Sequence, residues 1–251
     1  MLKKNPNPLS KKSKPTDLTL IEHLEELRRR LIICVIIVGI TSIIAYLNIQ
    51  PLLHWLIRPI GTVVFTKPTE AFTSGLKLAF FIGLFVSMPV ILYHLWRFVS
   101  PALHQNEKRS LFWVVPVSVM MFAVGMAFAY FVAIPAGLQF LLSYGTSQIQ
   151  PYISISAYIS FFTFFMLAFG LIFQLPVAIA LLSVAGWVSP KYLRQNRRFA
   201  IVAIFIVAAV FTPTPDIFNQ CVMAIPLYVL FEMSILLSMI LFKPSGSFHL
   251  H

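Results

Sequence analysis

The stretch Thr19-Leu-Ile-Glu-His-Leu-Glu-Glu-Leu-Arg-Arg-Arg-Leu31 sets three carboxylates and three guanidinium groups at the mouth of a long apolar run. No Asp, Glu, Lys or Arg then occurs from Leu31 to Ile57, and charge is also missing from Leu78 to Trp96 and from Ser110 to Pro190. The last gap alone is long enough to cross a hydrocarbon core of about 30 Å more than once. Such runs far exceed the ~10-residue strands of a membrane barrel, so the sequence predicts an all-α polytopic membrane protein. The composition agrees: 59% of the 251 residues are hydrophobic and only 11% are charged, where a soluble domain carries about 25%.

Thr19 and Glu22 have capping-box spacing, which starts a helix near Leu20. Leu20, Leu24, Leu27 and Leu31 form one apolar stripe, so this helix is expected to lie along the membrane surface and feed the first span. One membrane domain, 19–242, then holds six transmembrane helices at about 31–49, 75–98, 111–142, 157–184, 199–211 and 217–242. Leu52–Ile57, with Trp55, reads as a short interfacial helix. Pro89, Pro116, Pro135, Pro176 and Pro226 fall inside apolar segments and kink them, which suggests a concave groove rather than a straight bundle. The fifth segment covers only about 20 Å at 1.5 Å per residue, and the sixth is a candidate for the same shortness. Residues 1–18, rich in Lys and Pro, read as a disordered basic tail without the apolar core of a cleavable signal, and 243–251 as a second tail.

The formal charge of +11 is not a nucleic-acid footprint. All but three of the 19 Lys and Arg fall on one side of a six-span topology; Arg58, Lys67 and Lys77 are the exceptions. The positive-inside rule then makes both termini cytoplasmic. Trp96, Trp113 and Trp187 suit an aromatic belt on that side. Cys34 and Cys221 lack partner spacing and the His are scattered, so neither disulfide, metal nor cofactor is expected. Phosphate-loop, zinc-protease and nucleophile-elbow motifs are absent, so the chain does not read as an enzyme.

Glu26 and Glu107 lie on different segments, each near a membrane boundary. A carboxylate there meets lower dielectric than in bulk water, and an arginine partner can bind it bidentately. Two such carboxylates could hold two adjacent arginines of an extended peptide, which lysine would match poorly. The alternative is local: Glu22 caps the helix, Glu25 pairs with Arg28 or Arg29, and Glu26 pairs with Arg29 or Arg30. Gln174 lies about 15 Å inside its span, where it serves either function or an interhelical hydrogen bond. Glu232 lies within the sixth segment, facing either a partner or a wet cavity. Asp216 reads as an N-cap of the sixth helix.

Several segments in order resemble the TatC family, the multi-spanning receptor subunit of the twin-arginine protein translocase. They are His23-Leu-Glu-Glu-Leu-Arg-Arg-Arg-Leu31, Pro89-Val-Ile-Leu-Tyr-His-Leu-Trp96, Phe98-Val-Ser-Pro-Ala-Leu103, Glu107-Lys-Arg109, Gly125-Met-Ala-Phe-Ala-Tyr-Phe131, Phe173-Gln-Leu-Pro-Val-Ala178, Thr212-Pro-Thr-Pro-Asp216 and Ala224-Ile-Pro-Leu-Tyr228. The resemblance implies a bacterial-type cytoplasmic (inner) membrane protein. Such a protein binds twin-arginine signal peptides of folded precursors, assembles into oligomers with TatA- and TatB-like single-span partners, and supports export driven by the proton-motive force. It implies that Glu26, Glu107, Arg28 and Phe98 belong to or adjoin the signal-peptide site, and that Pro59 and Asp216 are sensitive outer positions. Many relatives carry Glu where this chain has Gln174; an amide hydrogen-bonds but cannot titrate. The competing classes are a secondary transporter, which would need paired interrupted helices and a midplane site, and a membrane scaffold that reads no signal.

Overall fold

The computed structural model describes residues 20–58, 60, 63–99, 111–143, 145, 152–211 and 217–241. Both tails, Pro59 and the segments containing Glu107 and Asp216 lie outside the described residues. The described chain is helical, and its extended pairing is a single parallel bridge between Val64 and Ser154. Among the described residues, four helical stretches are long and apolar enough to cross a membrane: Ile21–Leu47, Glu70–Val99, Val114–Ser143 and Ile155–Val184.

Helix α1, Leu20–Leu47, corrects one expectation. The charged segment does not lie down before the span; it continues into it as one helix of 28 residues. Leu27 through Cys34 contain no Gly or Pro, and extending a formed helix is easier than nucleating a second one. At about 42 Å, α1 overreaches a ~30 Å core, so its charged turns have room to project beyond it. Helix α2, Ile49–Ile57, is the expected short helix. It is anchored by Leu56, whose carbonyl accepts from Tyr158 Oη at 3.1 Å, and Trp55 stacks on Tyr130.

Helix α3, Glu70–Val99, packs along α1 through small and hydroxylated residues. A Cβ at Gly83 would collide with Ser42, including its backbone. The close approach lets Thr41 Oγ1 lie 2.9 Å from the Gly83 carbonyl oxygen and 2.8 Å from Ser87 Oγ. Small residues at a membrane helix crossing admit this close packing.

The third apolar stretch consists of α4, Leu111–Phe128, a π-helical turn at Ala129–Ala133, and α5, Ile134–Ser143. The interruption of the regular helix here has a local cause. Pro135 cannot donate to the Phe131 carbonyl, and its ring crowds that oxygen. The preceding turn widens, and the Ile134 N–H reaches back five residues to Ala129 O. The fourth stretch is likewise divided, into α6, Ile155–Ile172, and α7, Leu175–Val184. Pro176 removes the donor that would reach Ile172 O, and Phe173–Gln174 form the break. Phe81, Phe122, Phe162, Phe165 and Phe169 fill the core between α3, α4 and α6.

Gly186, at φ +77°, ends α7, with Gly186 N–H on Ser183 O and Trp187 N–H on Leu182 O. Ser189 then caps the short α8, Pro190–Gln195. Helix α9, Arg197–Phe211, has 15 residues and spans only about 22 Å, as the short fifth run predicts. Helix α10, Ile217–Leu241, has 25 residues and packs on α7 and α9, with Ser183 and Ser238 Oγ atoms 2.6 Å apart. Between α7, α9 and α10 lies an apolar depression of about 360 Å³, lined by Leu175, Ile179, Ile204, Val207, Leu227 and Phe231.

At the end of the bundle remote from Glu26, Glu70 is an anchor that sequence reading missed. Its Oε2 accepts from Thr66 N (2.6 Å), Thr66 Oγ1 (2.8 Å) and Lys67 N (3.2 Å). Its Oε1 accepts from Ser156 N at 3.1 Å and from Ser154 Oγ. One buried carboxylate thus ties the 63–70 segment to the start of α6, beside the Val64–Ser154 bridge.

Two outcomes test this architecture. Gly83→Ala forces α1 from α3 and destabilises the protein by about 1–3 kcal/mol, the usual cost of overpacking. Gly39→Ala, where a Cβ meets nothing within 4 Å, does not lower the thermal unfolding temperature in detergent, since Ala is the better helix former. Glu70→Gln turns an amide donor toward groups that are themselves donors, so hydrogen exchange at the Val64 and Ile155 amides accelerates while exchange within α4 does not.

Candidate functional site

The charged turns of α1 face the last turns of α3. Glu26, Arg29, Arg30 and Ile33 follow i, i+3, i+4, i+7 spacing and therefore share one helix face. His94 and Arg97 oppose them from α3, and these six residues line a cavity of about 340 Å³. Phe98 stacks on His23, with ring centroids 4.2 Å apart and planes 13° from parallel. This contact closes the top of the α1–α3 seam one turn before Glu26.

Glu26 is already paired. Arg30 donates from Nε to Glu26 Oε1 at 3.0 Å, and Arg30 Nη2 bonds the same oxygen. This is the local i,i+4 pairing that the sequence left open. Oε2 makes no hydrogen bond among the described residues. The pair is partly shielded, the side chains being 14% exposed for Arg30 and 29% for Glu26. Across the cavity, Arg97 Nη1 donates to Tyr93 Oη at 2.6 Å, and the guanidinium also lies over that ring. His94 Nδ1 is buried without a hydrogen-bond partner among the described residues.

The expected site residues do not all meet. Phe98 adjoins Glu26 through His23. Arg28 is exposed and faces a neighbouring cavity of about 500 Å³ with Glu25, Arg29, Ile32 and Ile33. Glu107, Pro59 and Asp216 lie outside the described residues; α3 ends and α4 begins on either side of the segment that carries Glu107. Gln174 sits at the α6–α7 break, where its Nε2 donates to Ser118 O at 2.9 Å. Ser118 Oγ in turn accepts from Trp96 Nε1 at 2.8 Å, so one polar chain crosses α3, α4 and the break. Gln174 Oε1 is buried and has no hydrogen-bond partner among the described residues.

His94, Arg97 and Arg30 were not singled out as site residues by sequence reading. Their signal was periodic: His94 and Arg97 are three apart at the end of an apolar run, as Glu26 and Arg29 are at the start of another. Glu232 also finds its partner within the chain: Arg197 Nη2 donates to its Oε2 at 2.7 Å and Tyr228 Oη to its Oε1 at 2.9 Å. Among the described residues no three His, Cys, Asp or Glu are placed to hold a metal ion. The arrangement offers charge and hydrogen bonds at a membrane boundary, a setting for recognising a charged ligand.

The comparisons give this geometry a family. Residues 22–226 match the family model described as Sec-independent protein translocase protein (TatC). The chain is 40% identical over 225 residues to the Sec-independent protein translocase protein TatC of Carboxydothermus hydrogenoformans, covering 88% of this chain and 93% of the relative. It is 38% identical over 226 residues to the protein of that name from Escherichia coli K12, covering 87% of each. A crystal structure described as the twin-arginine translocase receptor TatC superimposes with a TM-score of 0.74 at 38% identity, covering 88% of this chain and 99% of the other. With two divided stretches, a short helical hairpin and a charged α1–α3 seam, the chain belongs to the TatC family of Sec-independent protein translocase proteins.

Proposed function

We infer that the chain is the receptor subunit of a twin-arginine translocase and that Glu26, together with Glu107, receives the paired arginines of a signal peptide. The observation that carries this reading is Glu26 itself. It is a partly shielded carboxylate at the mouth of an apolar helix, with one oxygen on Arg30 and the other unpartnered among the described residues. An i,i+4 helix pair contributes only about 0.2–0.5 kcal/mol. A hydrogen bond to a charged group contributes about 1.5–3 kcal/mol. A peptide guanidinium can therefore settle on Oε2 first and then displace Arg30. Phe98, stacked on His23, presents an apolar surface beside the site for the peptide's neighbouring residues.

The topology that suits this role has six spans with both termini in the cytoplasm. The charge asymmetry of the sequence supports it, as does the α9–α10 hairpin packed on α7. The membrane is the bacterial-type cytoplasmic membrane. The apolar depression between α7, α9 and α10 supports contact with single-span TatA- and TatB-like partners. Gln174 takes part as a hydrogen-bonding residue; export powered by the proton-motive force would not route a proton through its amide. The role is recognition, not catalysis.

The test is binding of a twin-arginine peptide to membranes carrying the chain. A twin-lysine control and Glu26→Ala/Glu107→Ala should each weaken binding by on the order of tenfold or more, since 1.4 kcal/mol is a factor of ten. Equal binding in all cases would remove the receptor reading. Arg30→Gln frees Glu26 from its internal partner and should tighten the wild-type peptide severalfold, read as a lower Kd.

A further inference from the structure

The cavity between α1 and α3 holds more positive charge than Glu26 can use. Among the described residues, three guanidinium groups (Arg29, Arg30 and Arg97) line it against one carboxylate, and His94 adds a buried nitrogen without a partner. Like charges gathered around a partly shielded space repel one another unless a counter-charge joins them. At about 340 Å³ the space holds roughly ten waters' worth of liquid volume, ample for a phosphate group with part of its hydration shell. Its height also matters. The charge-free run begins at Leu31, directly after Arg30, so the arginines stand where headgroups meet the hydrocarbon. Below them α1 exposes Ile32, Ile36 and Ile40, a lane for an acyl chain.

We propose that this cavity is a binding site for the phosphate of an anionic lipid headgroup. Arg29 and Arg97 donate to its oxygens, and Arg30 swings toward it from Glu26. Guanidinium groups match phosphate geometry with paired donors. A zwitterionic headgroup suits the site less, because its ammonium would add a fourth cation. One consequence joins the two ligands: a phosphate that draws Arg30 away leaves Glu26 open, so lipid and peptide arginine favour each other instead of competing.

The proposal is tested without peptide, so its result is independent of arginine capture by Glu26. The full chain in neutral detergent is offered equimolar phosphatidylglycerol and phosphatidylcholine, and retained lipid is read by native mass spectrometry. Phosphatidylglycerol should be retained with a preference on the order of tenfold. Arg29→Gln/Arg97→Gln should abolish the preference, and Glu26→Gln should strengthen it. Arg194→Gln, which removes one guanidinium from α8, should leave it intact. In the unaltered chain, a phosphatidylglycerol analogue with a photoreactive headgroup should label 26–33 and 94–98, which keeps the test valid if the double variant misfolds. Equal retention of the two lipids, equal loss in Arg194→Gln, or labelling confined to other segments would overturn the site. Displacement by inorganic phosphate at comparable concentration would overturn a lipid as its source.

Discussion

The close crossing of α1 and α3 at Gly83 governs the rest of the molecule. Because no side chain stands between the helices there, Thr41, Ser42 and Ser87 interlock with the α3 backbone. That contact fixes the rotation and depth of both helices. Four turns away along α1, the same rotation turns Glu26, Arg29 and Arg30 toward His94 and Arg97. In lipid, apolar surface gives helices little reason to choose one another, so packing of small residues and hydrogen bonds must supply the choice. The charged seam inherits its geometry from a contact that is itself uncharged.

Much of the fold could be read locally. Charge-free runs marked the long helices, Pro176 marked the α6–α7 break, and thirteen apolar residues marked a short α9. What escaped depended on partners distant in sequence. Glu70 gains meaning from Ser154 and Ser156, more than eighty residues away. Glu232 looked open until α9 brought Arg197 beside it. The charged start of α1 was expected to lie on the membrane surface because its leucine stripe is amphipathic. Periodicity describes which face is apolar, however, and says nothing about a bend, which needs a break that Leu27–Cys34 do not provide. At the candidate site the sequence identified Glu26 and offered Arg30 among its local partners, but left open whether that pairing forms. Phe98 emerged through the family resemblance, and its stack on His23 joins the first span to the second.

The polar interior has a consistent logic. Trp96, Ser118 and Gln174 hydrogen-bond in series across three packed elements. Gln174 can serve at a helix break because an amide donates to a carbonyl without carrying charge into lipid. A carboxylate at the same place would have to pick up a proton or find a cation. The chain therefore separates its tasks: neutral hydrogen bonds hold the buried breaks, while formal charge gathers at the α1–α3 seam, the Arg197–Glu232 pair and the Glu70 cradle.

The π-helical turn at Ala129–Ala133 amounts to one residue more than a regular helix would hold between its two ends. Every residue after it is displaced by about 100° around the axis relative to an uninterrupted helix. Tyr130, inside the turn, stacks on Trp55 of α2, and Phe128, just before it, meets Phe169 and Phe173 of the core, while beyond the turn the shift selects the side of α5 that is buried, the side carrying Ile134 and Gly137. The single surplus residue thus works as a gear that sets the facing of α5 independently of α4. Removing one residue here would preserve both composition and hydropathy, yet would turn α5 to present the wrong side to its neighbours.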